Sequence, residues 1–371
     1  MMKTWRDERI LSLFRIELPI IQAPMAGVGN PRLAAAVARA GGLGSLPCAL
    51  LSPEQIRSAV ASMRTQTAAS LNLNFFCHTP PAFDPHRMSV WQQRVDAYAR
   101  AAGLPHVPPL PPVTAPPRGA GVHAFDESFC EVVEQLGPRV VSFHFGLPEA
   151  SLVARVRATG ARIISSATTV SEARWLEQQG CDAIIAMGTE AGGHRGTFLP
   201  GELYTQAGTF ALVPQIVDAV SVPVIAAGGI ADGRGLAAAL MLGASAVQMG
   251  SAYLLAEEVE LPLLYRMAIE RASDESTALT NIFTGRPGRA VVNRAMRALG
   301  PLSTDAPPFP LAGLSLAPLR NHCEQNGADD FTPLWSGQAA SLAKALPAAE
   351  ITRSVAAQAL EVIGGKNVLP Q

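Results

Sequence analysis

The chain has 371 residues, of which 48% are hydrophobic and 16% charged, and a formal net charge of −1. Such a length and composition give a compact globular chain with a large core and exclude a disordered one. The balanced charge excludes a general nucleic-acid footprint, which needs a clear basic excess.

In chain order, short apolar runs recur, and segments of helical character follow them. Pro19–Met25 is the first run, and Leu33–Ala40 then reads as an alanine-rich helix stopped by Gly41-Gly42. Leu43–Leu46 is the second, followed by the capping signature Ser52-Pro-Glu-Gln55. Ser70–Phe76, Arg139–Phe145, Arg162–Ala167, Ala183–Met187, Val222–Ala227 and Ala246–Met249 complete a set of eight. Helical spacers are predicted over Glu149–Thr159, Ser171–Gln179 and Arg234–Leu242. The runs are too short for helices and lack polar alternation, as strands buried on both faces do. Eight βα units predict an α/β fold, a TIM (β/α)8 barrel, with a doubly wound open sheet as the competing architecture.

Two regions break the rhythm. We expect residues 1–252 to form the barrel, with an insertion at 76–131 after the third strand. Within it, Leu104–Pro117 holds seven prolines in fourteen residues and should be stiff and extended. It reads either as a surface connector or as a wall or lid over the barrel mouth. Residues 253–371 read as a smaller, mainly helical substrate or lid region, part of which returns to complete the barrel. Helices are predicted there at Leu261–Arg271 and Gly337–Leu346, with a proline-rich loop near Pro301–Pro318.

The five cysteines, Cys48, Cys77, Cys130, Cys181 and Cys323, show neither a CxxC pair nor zinc spacing. Free thiols suit a reducing cytoplasm. Residues Met1 to Arg9 are polar and lack the apolar core of a signal peptide. No apolar run reaches the roughly 18 residues of a membrane helix. The expectation is a cytoplasmic protein, monomer or homodimer, with no metal, no nucleic acid and no membrane among its partners.

A barrel binds ligands at the C-terminal ends of its strands, and the unusual residues of this chain fall there. Gly188-Thr-Glu-Ala-Gly-Gly-His-Arg-Gly196 follows the sixth run and carries four glycines, Glu190 and His194. Glycines admit close backbone approach, and an imidazole can move a proton near neutral pH. Gly228-Gly229 ends the seventh run and Gly250-Ser251 the eighth. Together they suggest a phosphate cradle, although Gly228-Gly229 also fits a tight βα turn. His194 reads as catalytic or substrate-contacting, with a surface histidine as the plain alternative. Glu190 reads as a loop-fixing group. His144, at the end of the fourth run, reads equally as a core histidine or a substrate contact.

These motifs resemble the nitronate monooxygenases, formerly 2-nitropropane dioxygenases, of the bacterial class I group. The resemblance runs from about Pro19 to Ala349. It rests on PIIQAPMAG at Pro19–Gly27, NFFCH at Asn74–His78, VVSFHFG at Val140–Gly146, SSATTVSEA at Ser165–Ala173 and GTEAGGHRGTF at Gly188–Phe198. AAGGIADGRG at Ala226–Gly235, VQMGSAYL at Val247–Leu254, FTGRPGRAVVNR at Phe283–Arg294 and LWSGQAA at Leu334–Ala340 follow.

The resemblance implies one non-covalent FMN, contacted by Pro24, Met25, Ala26, Asn74, Gly192, Gly229, Gln248, Gly250 and Ser251. It implies a catalytic and substrate-binding role for His194 and a substrate contact at His144. The reaction implied is oxidation by O2 of alkyl nitronates, such as propionate 3-nitronate, to a carbonyl compound and nitrite. A protonated His194 would hold the nitronate by a charge-assisted hydrogen bond, and a neutral one would remove the α-proton of a nitroalkane. Three departures stand out. Ser251 replaces a common threonine, Met187 replaces a frequent glutamine, and Phe309 lies where the family tends to carry tyrosine. The alternative is an FMN-dependent enoyl-ACP reductase using NAD(P)H. An IMP-dehydrogenase-like barrel would need a catalytic cysteine in a mouth loop, and Cys181 lies before the sixth run.

Overall fold

A computed structural model describes residues 5–108 and 122–365. Eight parallel strands make the central sheet, and two further short strands and a two-residue strand make a second one. In chain order these are β1 (Ile20–Gln22), β2 (Gly44–Pro47), β3 (Leu71–Phe76), β4 (Val140–His144), β5 (Arg162–Ala167) and β6 (Ala183–Met187). There follow β7 (Gly193–His194), β8 (Val224–Ala227), β9 (Ala246–Met249), β10 (Thr277–Thr280) and β11 (Gly288–Val291). The barrel order is β1-β9-β8-β6-β5-β4-β3-β2. A parallel bridge from Ile21 to Leu43 joins β1 to the start of β2. That bridge closes the sheet and decides against the open, doubly wound alternative.

The strands look uniformly apolar because both their faces are buried. Ile20, Val141, Ile163, Ile184, Val224 and Val247 pack outward in the main core against the surrounding helices. The alternate residues Ile21, Leu43, Val140, Ile164, Ala183, Ile185, Ile225 and Ala246 fill the barrel interior. The helix Arg9–Phe14 caps the base of that interior with Ile10 and Phe14. Further along β4, β5 and β9 the inward face changes character: Val140 is followed by Ser142 and His144, Ile164 by Ser166, and Ala246 by Gln248. The barrel is therefore dry at its base and polar at its C-terminal mouth.

The second sheet decides how that mouth is covered. β10 and β11 pair as an antiparallel hairpin, and β11 pairs with β7, putting Gly288 opposite His194 and Arg289 opposite Gly193. A second hydrophobic core joins helix Pro85–Ala101, through Trp91, Val95 and Ala99, to residues from the 282–331 region, including Ile282, Leu316, Leu319 and Phe331. Trp91 Nε1 donates to the Ala312 carbonyl at 2.9 Å. The helix Ala348–Ile363 returns to pack on the barrel helices Gly233–Met241 and Pro31–Arg39.

Leu263–Glu270 is helical as expected, but the other two expectations for this region need correction. Gly337–Leu346 is not an α-helix; only a 3-10 turn at Ala340–Leu342 forms. The Gly337 N–H goes to Ser251 Oγ and the Gln338 N–H to the Glu190 carbonyl, so neither is free for a helical ladder. The Pro301–Pro318 loop ends early, because helix Gly313–Gln325 begins inside it and buries Leu316, Leu319 and Cys323. From residue 109 onward, the proline-rich stretch Leu104–Pro117 lies outside the described residues. Among the described residues, no helix is long and apolar enough to cross a membrane.

Candidate active site

The glycine segment after β6 is held from three sides. Glu190 accepts from the backbone N–H of Thr209 at 2.8–2.9 Å and from its hydroxyl at 2.9 Å, pinning the segment to the start of helix Thr209–Val217. Arg195 is buried and fully engaged. Its guanidinium donates to the carbonyls of Met187 (2.8 Å) and Gly188 (2.6 Å) and to Gln206 Oε1 (2.8 Å). Glu172, also buried, collects the N–H groups of Thr168 (2.6 Å), Phe198 (2.7 Å) and Leu199 (3.2 Å). Fixed charges and charge-assisted hydrogen bonds of this kind hold a loop geometry rigidly.

From above, the segment is covered by residues 334–338. A Cβ on Gly192 would lie 2.5 Å from the Gly337 nitrogen and 2.6 Å from the Ser336 carbonyl carbon, so only glycine allows the contact. Gly337 in turn donates to Ser251 Oγ at 2.8 Å. Gly192, Gly337 and Ser251 thus meet at one point. Gly250 lies beside Ala23 and Met25, in the turn after β1 that also holds Pro24 and Ala26. Gly229 takes a left-handed φ of +71° against the Glu190 side chain, as a residue with a Cβ seldom would. Among the described residues, the backbone N–H groups of Gly229, Gly250 and Ser251 find no protein acceptor. Gln248 Oε1 is buried, also without a partner. Asn74 differs: its amide is spent on the barrel wall, donating to Ser142 Oγ at 3.0 Å and to the Ser142 carbonyl at 3.3 Å.

His144 and His194 come together. His144 Nε2 lies 3.1 Å from the His194 carbonyl and Nδ1 lies 2.6 Å from Ser166 Oγ. A carbonyl can only accept, so His144 carries its proton on Nε2, and Nδ1 accepts from the serine hydroxyl. His194 Nε2 lies 2.9 Å from Thr284 Oγ1. Its ring sits 4.7 Å from Trp335 and 5.3 Å from Phe309, centroid to centroid. Burial, helped by the nearby Arg286 charge, pushes His144 down to about 3. Burial with His144 and Arg286 does the same to His194, again to about 3. Both rings are neutral near pH 7, so a protonated His194 is not the form this environment favours.

Sequence reasoning passed over several groups here. His78, marked in the sequence only as the end of the NFFCH motif, is buried, pushed down to about 4 mainly by burial, and its Nδ1 has no partner. Its ring meets Phe309 edge-on at 4.9 Å. Arg286 stacks on the Phe145 ring at 3.8 Å. Phe145 itself adopts a left-handed φ of 71°, a strained conformation for a phenylalanine, which sets its ring beside His144 at 4.3 Å. Thr284, Arg286, Phe309 and Trp335 all come from the region after the barrel strands, and the β7–β11 pairing brings them to the mouth. In the sequence, Thr284, Arg286 and Trp335 are marked only by membership of the FTGRPGRAVVNR and LWSGQAA motifs, and Phe309 only as a departure from the family's tyrosine. Among the described residues, no group of His, Cys, Asp and Glu could hold a metal ion.

A closed parallel barrel with an open glycine cradle and neutral imidazoles at one mouth suits an FMN-dependent oxidoreductase. Comparison with known proteins narrows the class. The nitronate monooxygenase family model matches residues 7–358. A nitronate monooxygenase of Pseudomonas aeruginosa is 40% identical over 352 residues, covering 94% of this chain and 98% of that protein. The nitroalkane oxidase structure from Streptomyces ansochromogenes superposes with a TM-score of 0.82 at 34% identity, covering 96% of this chain and 99% of that one. FabK from Thermotoga maritima gives 0.72 at 28% identity, with 98% of each chain covered. The chain belongs to the nitronate monooxygenase family, as the bacterial class I type its motifs resemble. It uses FMN to oxidise alkyl nitronates with O2.

Proposed function

We propose that the reaction takes place at the barrel mouth between His194 and the cradle formed by Gly192, Gly229, Gly250 and Ser251. The observation that carries this reading is the meeting of His194 with His144 and the aromatic wall directly beside that cradle. The residues fit FMN. The free N–H groups of Gly229, Gly250 and Ser251 suit its phosphate, and the unpartnered Gln248 Oε1 suits an N–H of its ring. Pro24, Met25, Ala26 and Asn74 border the same space. When bound, FMN supplies the electron-acceptor chemistry that turns a nitronate and O2 into a carbonyl compound and nitrite.

The chain's own residues do the rest. Thr284 occupies His194 Nε2, which leaves Nδ1 as the atom that meets the substrate. A neutral imidazole there can take the α-proton of a nitroalkane or direct a bound nitronate. His144, locked by Ser166 and the His194 carbonyl, orients the segment that carries His194. Phe76, Phe145, Phe309 and Trp335 exclude water and give an alkyl chain an apolar wall. We further read residues 1–252 as the catalytic barrel and 253–371 as the substrate and lid region. The protein would be cytoplasmic, as its free cysteines suit, and either a monomer or a homodimer.

The test is His194→Asn. It should lower kcat/KM by about 100-fold or more on a neutral nitroalkane, the usual worth of a general base, and by less on the preformed nitronate. Full turnover of both substrates would remove His194 from the mechanism.

A further inference from the structure

Three imidazoles face this pocket, and all are pushed to 4 or below, so none supplies positive charge near neutral pH. The cation that bears on all three is Arg286. Its position is unusual. The guanidinium is partly buried, stacked on Phe145 at 3.8 Å, and no carboxylate lies within ion-pair distance of it among the described residues. Burial lowers it to about 10, which leaves it charged at neutral pH. Nε donates to the Arg195 carbonyl at 3.4 Å and Nη2 to the Thr197 carbonyl. Nη1 donates to nothing among the described residues.

Arg195 and Arg289 also lack carboxylate partners, yet their groups are tied to carbonyls: Arg195 to Met187 and Gly188, Arg289 to Thr189 and Thr277. Arg289 also leaves Nη2 without an acceptor among the described residues, but of the three only Arg286 stacks on the aromatic wall and bears on all three imidazoles. Glu172 acts on this partly buried cation only from beyond ion-pair distance, and a cation so placed, without a direct counter-ion or a full set of acceptors, carries a desolvation cost that an anionic ligand would offset. A planar oxyanion matches the guanidinium fork.

We infer that Arg286 is the residue that recognises the negative charge of the nitronate, and that it sets the preference of this site for the anion over the neutral nitroalkane. The inference rests on the reading of the barrel mouth as the substrate site. It assigns binding to Arg286 and proton handling to His194, so the two can fail separately. Apart from Arg286, the pocket offers mainly neutral imidazoles and aromatic rings. It therefore suits nitronates with a single charge and an apolar chain.

The experiment compares the FMN-loaded wild type with Arg286→Met, which keeps an apolar stem, and Arg286→Lys, which keeps the charge. Binding of nitrate, a planar anion, and of nitroethane, a neutral isostere of ethylnitronate, is measured by calorimetry. KM and kcat are measured on ethylnitronate. Arg286→Met should weaken nitrate and raise KM by about tenfold or more, the scale of a charge-assisted contact. The nitroethane Kd should move by less than about threefold, and Arg286→Lys should recover most of the loss. Equal weakening of nitrate and nitroethane would make Arg286 a structural residue and overturn the proposal. So would nitrate binding that is unchanged in Arg286→Met. If the wild type itself bound neither probe and oxidised no nitronate, the substrate-site reading would fall, and this inference with it.

Discussion

Burial holds His78, His144 and His194 neutral, and their behaviour with pH follows directly from it. All three have folded values of about 3 to 4 against an ordinary 6.5. The unfolded chain therefore binds more protons than the folded one as pH falls below 6.5, and stability must fall with it. Their contribution is intact above pH 6.5 and is lost progressively toward pH 4. Urea midpoints should be lower at pH 5 than at pH 7, and the difference should shrink in His78→Phe, which keeps the ring within the aromatic wall. An unchanged midpoint between those pH values would mean the imidazoles are not held neutral. At this scale the sequence revealed His194 and His144, because each sits at a strand end within a glycine-bearing motif. It could not reveal Arg286 or the neutral state of the rings. No periodicity connects residue 286 with Phe145, and burial is a property of the assembled mouth.

Between elements, the joint that matters is the seam where residues 334–338 lie on the glycine segment. Gly192 makes that seam possible by steric necessity, since its added Cβ would fall 2.5 Å from the Gly337 nitrogen. Gly192→Ala should lift the covering segment, cost about 1–3 kcal/mol as overpacking does, and loosen the cradle around FMN. Dialysis followed by FMN fluorescence, together with thermal melting, would read both effects; unchanged retention and melting would show that the seam is unimportant. The eight barrel strands were legible because strands buried on both faces give continuous apolar runs. β10 and β11 were not. Their sequences, Thr277–Thr280 and Gly288–Val291, are short and mixed in polarity, and their pairing depends on a two-residue strand inside what read as a loop. The basal helix Arg9–Phe14 was missed because it is only six residues long and adjoins the charged run Arg6–Arg9.

At the level of the whole molecule, two cores share the labour. The main core builds the barrel, and the second ties the insertion helix Pro85–Ala101 to the region that delivers Thr284, Arg286 and Phe309 to the mouth. Trp91 is fully buried at that junction. Trp91→Ala should cost about 3–5 kcal/mol, measured by urea unfolding, and a loss below about 1 kcal/mol would show the junction to be loosely packed. This second core lay beyond sequence reading because its members are far apart in the chain. The central claim is that this barrel mouth oxidises nitronates on FMN. The most direct test is the visible spectrum of the purified holoprotein under anaerobic conditions, before and after addition of ethylnitronate, with NADH and NADPH added to parallel samples. The account predicts rapid change of the flavin bands with the nitronate and none with either nicotinamide. Rapid bleaching by NADH or NADPH alongside an inert nitronate would contradict it.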